Sequence, residues 1–427
     1  MVYIGRLSKD EIVKNYGAHV SSGKVDFYTA IGFDFVMGRR EGPWMWDVSG
    51  ERKLINCHCN GGVFDLGHRH PAVLSVLKEA LEELDIGNHH LISEQRAILA
   101  DKLTKLSPEE ITRVVFGVGG GEAVDFAIKL ARGYTGKHKI IHAKGAYHGH
   151  TGLALAAGDD HFKAPFEPLA PGFIAVPFGD ADAVEKAVDE ETAAVLFETI
   201  PATVGMPLPP KDFYRKVREI CDKKGVLLIL DEIQTGLGRT GRLWGFEHYD
   251  VVPDIFVIGK GLSGGVYPIS ATCYKEELDS FMNKNPFIHV STFGGAELGC
   301  PVALKVLEIV SSETFLEHVN EIADFLGEGL ESLRESYSDI LVEIRQKGLF
   351  MGLKMSDDGY GPLMSLASIN NGIFAVYADN DRSVLQFLPP LTIDKSEASY
   401  ILERLDKAYE WTKEHSEYLE MILTLSI

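Results

Sequence analysis

The chain has 427 residues, of which 45% are hydrophobic, and this length and composition allow a large buried core with two or more structural lobes. Its 42 basic and 62 acidic residues give a formal net charge of −20. Because so acidic a surface repels a phosphate backbone, the charge argues against nucleic-acid binding and requires that any anionic ligand be held by a local site.

The amino terminus and the cysteines predict a cytoplasmic protein. Residues 1–17 contain no sustained apolar core and carry acidic residues early, so they do not resemble a secretory signal, and no run of about 18 apolar residues predicts a membrane span. The five cysteines are an odd number without a C-x-x-C pair, which is typical of reduced thiols. Cys57-His58-Cys59 lacks a second Cys/His pair at zinc-finger spacing, so we expect no metal site.

Helical and strand patterns alternate from about residue 70 to residue 310. Three segments show helical patterns: 123–131, 182–188 and 211–223. Three short apolar runs are typical of buried strands: 193–197, 226–230 and 255–258. This alternation predicts an α/β fold whose large domain has a mostly parallel sheet flanked by helices.

The pattern changes at about residue 311. After one helical stretch, three segments predict strands: 341–355, 372–377 and 384–387. A final amphipathic helix carries Ile401, Leu405 and Thr412 on one face. We therefore predict three parts in chain order: an N-terminal segment (1–60) that packs with the small domain, a large domain (61–310) and a smaller α+β domain (311–427).

Three consecutive glycines, Gly119 to Gly121, follow a predicted strand and lead into the helix at 123–131. Backbone N–H groups and the helix dipole at such a start favour an anion, and Glu122 falls in the first turn. We favour a phosphate site over a tight turn alone. Farther along, Tyr147 offers a flat aromatic surface beside Gly149, and we interpret the neighbouring His148 as a stacking or hydrogen-bonding residue.

The segment 225–241 brings Asp231 to the carboxyl end of an apolar strand, where parallel sheets bind ligands. Three alternatives stay open for this segment alone. It resembles a Walker B element, although the chain has no G-x-x-x-x-G-K-[ST] loop. Gly236 to Gly241 formally matches the dinucleotide fingerprint, although the chain soon reaches Pro253 instead of a clear helix. Asp231 also fits a purely structural residue at a strand end.

Lys260 follows another buried strand and lies among glycines. A lysine at an apolar strand end loses its proton through desolvation and becomes a nucleophile toward an aldehyde. A surface lysine in a flexible loop is the more common interpretation of such a segment in isolation.

These segments resemble one family over nearly the whole chain: the class III aminotransferases, of pyridoxal-phosphate fold type I. The most specific matches are DEIQTGLGRTG (231–241) and GKGLSGGVYPI (259–269). Further matches are HVSTFGG (289–295), IRQKGLFMGLKM (344–355) and FLPPLTI (387–393). The resemblance implies pyridoxal 5'-phosphate as the cofactor, bound by the large domain.

The resemblance implies roles for the residues around the cofactor ring. Lys260 matches the lysine that forms the internal Schiff base, and Asp231 matches the carboxylate that pairs with the pyridinium nitrogen. Gln234 matches the residue near the phenolic oxygen, and Tyr147 matches the aromatic residue stacked on the ring. We assign His148 to the cofactor site with them, and we expect Lys260 and Asp231 to be catalytic.

Four further positions follow from the same resemblance. Gly120 and Gly121 match positions that bind the phosphate. Thr292 matches the threonine that reaches the phosphate of the neighbouring subunit's cofactor, which implies a homodimer with sites at the interface, a tetramer being the alternative. Glu198 matches a catalytic-site glutamate, although residues 199–201 depart from the usual run.

Two departures from the family pattern affect ligand binding. Val118 to Gly121 replaces a polar run such as Asn-Ser-Gly-Thr, so backbone contacts must carry more of the phosphate binding. Gln386 stands where many members have an arginine that holds a substrate carboxylate, and an amide cannot form that bidentate ion pair. We therefore expect an amine donor without a free α-carboxylate: an ω-amino acid, a diamine or a β-amino acyl thioester.

The expected function is transfer of an amino group from such a donor to a 2-oxo acid, such as 2-oxoglutarate or pyruvate. An amino-acid racemase or epimerase on the same scaffold shares the early steps and is the alternative. A nicotinamide-dependent dehydrogenase is a distant alternative that rests only on the match at Gly236 to Gly241.

Overall fold

The computed structural model describes Gly5 and residues 7–419, so the outermost residues of the predicted N-terminal segment and small domain lie outside the described residues. The described strands are β1 (Met37–Glu41), β2 (Trp44–Asp47), β3 (Lys53–Asn56), β4 (Ile111–Gly117), β5 (Lys139–Ala143), β6 (Phe173–Val176), β7 (Thr192–Glu198), β8 (Leu227–Asp231), β9 (Ile255–Ile258), β10 (Ser270–Lys275), β11 (Leu341–Lys347), β12 (Phe350–Met355), β13 (Ile373–Phe374), β14 (Val376–Ala378) and β15 (Asp381–Phe387).

The described helices are α1 (Lys9–His19), α2 (Ser22–Ala30), α3 (Cys59–Gly62), α4 (Pro71–Glu83), α5 (Glu94–Lys105), α6 (Gly120–Thr135), α7 (Gly152–Ala156), α8 (Asp160–Lys163), α9 (Ala181–Ala187), α10 (Phe213–Lys224), α11 (Asp279–Lys284), α12 (Gly299–Val310), α13 (Glu313–Ser336), α14 (Tyr360–Asn370) and α15 (Lys395–Glu414). Short 3-10 turns link some of them, including one at Lys260–Ser263. Among the described helices, none is both long enough and apolar enough to cross a membrane.

A seven-stranded sheet forms the centre of the larger part, in the order β4-β10-β9-β8-β7-β5-β6. Strand β10 runs antiparallel to both of its neighbours, whereas β6, β5, β7, β8 and β9 pair in parallel. Every residue of β7, β8 and β9 is buried, which explains why these strands are apolar except for Thr192, Glu198 and Asp231. Apolar clusters cover the sheet, one of them formed with α6 and the other with α5, α10 and α12. The predicted mostly parallel α/β fold is confirmed.

Two smaller sheets lie toward the ends of the chain. One is antiparallel, in the order β11-β12-β15-β14, and shares a core with α13, α14 and α15. The other has the order β1-β2-β3-β13, in which Ile55 of β3 pairs in parallel with Ile373 of β13. This pairing joins an N-terminal strand to a C-terminal one. The domain boundaries expected near residues 60 and 310 stay a prediction.

Helix and strand boundaries differ from the predicted ones by a few residues where turns intervene. The helix predicted at 211–223 spans Phe213–Lys224 and ends at Gly225, whose φ of 62° is left-handed and favours glycine. The strand region predicted at 341–355 is a hairpin that turns at Gly348. That glycine has a φ of 58°, and a Cβ there would lie 2.3 Å from the Thr240 carbonyl carbon.

Candidate active site

Three neighbouring parallel strands bring polar side chains to one edge of the large sheet. Strand β7 ends at Glu198 and β8 ends at Asp231, and these two residues are paired in register. Strand β9 ends at Ile258, two residues before Lys260. Because carboxyl ends of parallel strands meet at one edge, the three functional groups converge there.

A cleft at this edge contains eight of the predicted site residues. Its lining is Gly120, Gly121, Tyr147, His148, Gly149, Glu198, Ile200, Asp231, Ile233, Gln234, Thr235 and Lys260. Sequence reasoning did not assign Ile200, Ile233 or Thr235 to the site. Ile233 and Thr235 flank Gln234 in the DEIQT run (231–235). This adjacency was the sequence feature that could have indicated them.

Lys260 points into this cleft. Its Nζ donates a hydrogen bond to Gln234 Oε1 at 2.7 Å, and its backbone φ of 40° is unusual for a residue with a side chain. Burial lowers the pKa of Lys260, although the charges of Asp231, Glu198 and Asp65 oppose this effect. The neutral, nucleophilic amine is therefore more accessible than in a surface lysine.

Asp231 is buried and held in one orientation. Its Oδ2 lies 2.8 Å from His148 Nδ1, and its Oδ1 accepts a hydrogen bond from the Ile233 backbone at 3.0 Å. Burial alone would lower the pKa of His148, but the hydrogen bond and charge of Asp231, with the charge of Glu198, raise it. The pair therefore presents an anchored acid beside a histidine that favours its protonated form.

Glu198 lies next to this pair and is also buried. Its Oε1 accepts from the Tyr147 backbone N–H at 3.0 Å, and its Oε2 accepts from the Ala202 backbone N–H at 3.2 Å. Burial raises the pKa of Glu198 to about 7; the charge of Asp231 adds to the rise and His148 opposes it. Glu198 is therefore able to hold or release a proton near neutral pH.

The start of α6 also lines the cleft, through Gly120 and Gly121. Gly119 caps this 16-residue helix without a side-chain hydrogen bond, so backbone N–H groups of the first turn remain available for an anion. A Cβ at Gly120 would lie 2.7 Å from Ile233 Cδ1, and one at Gly121 would lie 2.8 Å from Thr151 Oγ1. A side chain at either position would therefore require Ile233 or Thr151 to shift.

Two predicted site residues do not line the cleft of their own chain. Thr292 is exposed on the segment after α11, and Gln386 is buried on β15, where it pairs in register with Gly352 and Val376. Gly61 was not anticipated, yet a Cβ at that position would lie 2.9 Å from Lys260 Nζ. Gly61 lies about 200 residues before Lys260 in the sequence, so no local sequence pattern indicates that the two residues are close.

The structure also bears on the rival interpretations. Gly236 to Gly241 does not open an α-helix, and the next helical turn is the short 3-10 segment Gly245–Tyr249. A dinucleotide phosphate therefore lacks the helix start it needs there. In the part of the chain that the structure describes, no three His, Cys, Asp or Glu side chains are grouped so as to hold a metal ion.

A larger cavity of about 850 Å³ lies between α2, α14 and the end of α15. Aromatic residues such as Phe27, Tyr377 and Trp411 line it, and neither Lys260 nor Asp231 does. Its size alone therefore does not identify it as the site of the chemistry.

The residues of the smaller cleft fit pyridoxal phosphate. The buried atoms His148 Nε2 and Gln234 Nε2 have no hydrogen-bond partner within the described chain, so polar groups beside the lysine are left for a ligand. Lys260 suits an aldehyde, Asp231 suits a cationic ring nitrogen, and the start of α6 suits a phosphate.

Comparisons with known proteins agree with this geometry. A model of the family "Aminotransferase class-III" matches residues 29–409. An uncharacterized aminotransferase of Archaeoglobus fulgidus is 65% identical over 422 residues, covering 99% of each chain. The ornithine aminotransferase of Toxoplasma gondii superposes with a TM-score of 0.85 at 27% identity, covering 96% of this chain and 100% of that one.

A second solved structure, the acetylornithine aminotransferase of Elizabethkingia anophelis, superposes with a TM-score of 0.80 at 27% identity, covering 95% of this chain and 100% of that one. The Toxoplasma enzyme holds pyridoxal phosphate at partial occupancy in its active site. The chain belongs to the class III aminotransferase family, and it is an aminotransferase whose cofactor is pyridoxal phosphate.

Proposed function

We propose that this aminotransferase moves an amino group from a donor without a free α-carboxylate to a 2-oxo acid such as 2-oxoglutarate or pyruvate. The observation that carries the assignment of roles is the cleft in which the amine of Lys260 faces the paired Asp231 and His148. We propose Lys260, Asp231 and Glu198 as catalytic residues, and Tyr147 and Gln234 as residues that bind the cofactor.

Each of these residues would have a separate role in the reaction. Pyridoxal phosphate, when bound, supplies an electron-withdrawing ring that accepts the electron pair left by a departing substrate proton. Asp231, fixed by His148, would keep a proton on the ring nitrogen. Lys260, whose pKa is lowered by burial, would remove the proton from the substrate carbon and return it later.

The remaining groups position the cofactor and the substrate. The N–H groups of Gly120 and Gly121 would bind the phosphate at the start of α6. Tyr147 would cover one face of the ring. Glu198, whose pKa is about 7, would exchange a proton with neighbouring groups near neutral pH.

The donor class rests on the charges of the described residues that line the cleft and on Gln386. Among the described residues that line the cleft, Lys260 is the one lysine or arginine. Gln386 replaces the arginine of many family members, and its neutral amide would bind a carboxylate far more weakly than a guanidinium does. A donor whose reacting carbon carries no carboxylate needs no such partner, and this favours an ω-amino acid, a diamine or a β-amino acyl thioester.

A donor panel tests this class directly. With 2-oxoglutarate or pyruvate as acceptor, kcat/KM for the best ω-amino acid, diamine or β-amino acyl thioester is expected to exceed that for ordinary α-amino acids by at least about tenfold, the scale of a lost charge-assisted contact. Product amino acid would be quantified by chromatography. A clear preference for α-amino acids would sink the donor proposal.

The same panel separates transamination from racemisation. Each amino acid would also be incubated without a 2-oxo acid and analysed on a chiral column. Loss of optical purity without an acceptor, together with no amino transfer when an acceptor is added, would favour the racemase or epimerase alternative.

We further propose a homodimer with cofactor sites at its interface; two dimers forming a tetramer is the alternative. Two segments, 86–92 and 287–293, expose large apolar side chains next to each other, and we call them the apolar loops. Ile92 is fully exposed and Phe287 is 66% exposed. The ring of Phe287 lies 5.8 Å from that of His90, so the loops form one patch, and Thr292 lies within it. A second copy of this chain would bury this patch.

Replacing Ile92 by aspartate is expected to weaken the dimer by at least about tenfold, because it buries a charge in an apolar contact. Light scattering coupled to size-exclusion chromatography would measure the mass over a dilution series. Val342→Asp is the matched control, since Val342 is an exposed apolar residue on β11 and outside the apolar loops. A monomeric native protein, or equal behaviour of the two variants, would contradict the proposed interface.

A cytoplasmic location and the division into a segment (1–60), a large domain (61–310) and a small domain (311–427) complete the proposal. All five cysteines are buried and unpaired, as is usual for proteins kept reduced.

A further inference from the structure

A second buried ion pair lies beside Lys260, and the reaction roles proposed above do not use it. Arg239 is fully buried, and its Nη2 donates to Asp65 Oδ1. Its Nη1 also donates to the carbonyl oxygens of Leu349, at 3.0 Å, and Pro389, at 2.6 Å. Removing a guanidinium completely from water costs free energy. Arg239 therefore requires the Asp65 carboxylate as a partner.

The carboxylate of Asp65 lies near two glycine-containing turns, one at Gly61 and Gly62 and the other at Gly261. A Cβ at Gly261, the residue after Lys260, would lie 2.8 Å from Asp65 Oδ2. A Cβ at Gly62 would lie 3.4 Å from Asp65 Oδ1, and one at its neighbour Gly61 would lie 2.9 Å from Lys260 Nζ. The carboxylate therefore lies close to the backbone of both turns, and it is also paired with Arg239.

We propose that Asp65 and Arg239 are a positioning pair for Lys260: the carboxylate fixes the two glycine turns around the amine, and the guanidinium offsets its negative charge. The pair thus places a carboxylate close to the lysine, while Arg239 limits how strongly that carboxylate favours the protonated amine. This inference rests on the proposed role of Lys260 as the reacting amine.

Other charged groups also face Lys260, and the test leaves them unchanged. Asp231, paired with His148, and Glu198 face it from the ends of β8 and β7. His58 faces it from the segment after β3, and burial, with the charge of Lys260, lowers the pKa of His58 to about 4, so it is neutral at pH 7. Substitutions at Asp65 and Arg239 therefore change one charged pair near Lys260 and leave these other titratable groups in place.

The test is the titration of Lys260 itself in the cofactor-free protein. The rate at which an amine reagent labels Lys260 would be followed by peptide mass spectrometry across a pH series, which gives the pKa of Lys260. Asp65→Asn keeps an acceptor for Arg239 but leaves its charge unopposed, so the pKa of Lys260 is expected to fall by about 1 unit. Arg239→Met leaves the carboxylate unopposed, so the pKa is expected to rise by about as much.

The double variant and two controls separate this role from a general loosening of the fold. Asp65→Asn combined with Arg239→Met is expected to return the pKa of Lys260 close to its native value. Arg239→Lys keeps the charge and is expected to leave the pKa nearly unchanged; if Arg239→Met does not fold, the fall expected in Asp65→Asn carries the test. Asp254→Asn removes another buried carboxylate, bound to Arg218 at 2.8 Å before the start of β9, and is expected to have no effect on Lys260.

A rise or no change in the pKa of Lys260 in Asp65→Asn would overturn the inference, because loosening alone exposes the amine and raises its pKa. Visible absorbance of the cofactor-loaded variants, followed across pH, gives an independent readout. If pyridoxal phosphate bound no lysine, or a lysine other than Lys260, the proposed function would fail. If it bound Lys260 while the titrations stayed unaltered, only the positioning pair would be wrong.

Discussion

Replacing Lys260 by alanine is expected to lower kcat/KM by at least about 10⁴-fold, because one side chain supplies both the nucleophilic amine and the general base. No other lysine lines the described cleft, so nothing is positioned to take over either task. The protein should also lose the visible absorbance band that native protein gains with pyridoxal phosphate. Steady-state kinetics and absorbance titration measure the two effects.

The control for this variant is Lys275→Ala. Lys275 ends β10 and forms an ion pair with Asp254, at 2.7 Å, and it does not line the cleft. Its loss is expected to cost some stability but to leave cofactor absorbance and kcat/KM within about threefold of native, as for an ion pair outside the site. A Lys260→Ala protein that turned over substrate at the native rate would refute the assignment of Lys260.

Replacing Asp231 by asparagine is expected to lower kcat/KM by about 10²- to 10³-fold, the usual loss when one preorganised electrostatic partner is removed. The change is nearly isosteric, so it removes the charge while leaving a hydrogen-bonding group beside His148. Without that charge, burial dominates and the pKa of His148 should fall below that of free imidazole. Kinetics would measure the first effect, and NMR titration of His148 the second.

Glu232→Gln is the matched control for Asp231→Asn. Glu232 is the next residue, and it is an equally buried carboxylate whose pKa burial raises to about 7. It accepts hydrogen bonds from the Gly245 and Phe246 backbones and does not line the cleft. Its substitution should alter stability more than catalysis. Equal catalytic losses in the two variants would contradict a specific role for Asp231.

The central sheet and the positions of Asp231 and Lys260 at its edge were predictable from local patterns, whereas the roles proposed for these residues came from the family resemblance. The four apolar residues of β8 that precede Asp231 determine where it emerges, and the four apolar residues of β9 determine the position of Lys260. The carboxyl ends of parallel strands then meet without any further information. The glycines at the start of α6 carried a similar local signal, although the proximity of Ile233 and Thr151 to them was visible only in the structure.

Other parts of the site depend on contacts between distant segments. Asp65 and Arg239 are 174 residues apart in sequence, and nothing near Asp65 indicates that it becomes buried beside Lys260. Thr292 and Gln386 were assigned from family resemblance, and neither lines the cleft of its own chain. Thr292 is proposed to contact the cofactor of a second subunit. No pattern within one strand or helix could therefore indicate this contact.

The most direct measurement is to reduce the cofactor-loaded protein with borohydride and locate the modified residue by peptide mass spectrometry. Reduction makes the bond between pyridoxal phosphate and its lysine permanent. The account predicts a pyridoxyl group on Lys260 and native-like loading in the Lys275→Ala control. A pyridoxyl group on any other lysine, or none on Lys260 after full loading, would contradict the assignment on which the catalytic roles depend.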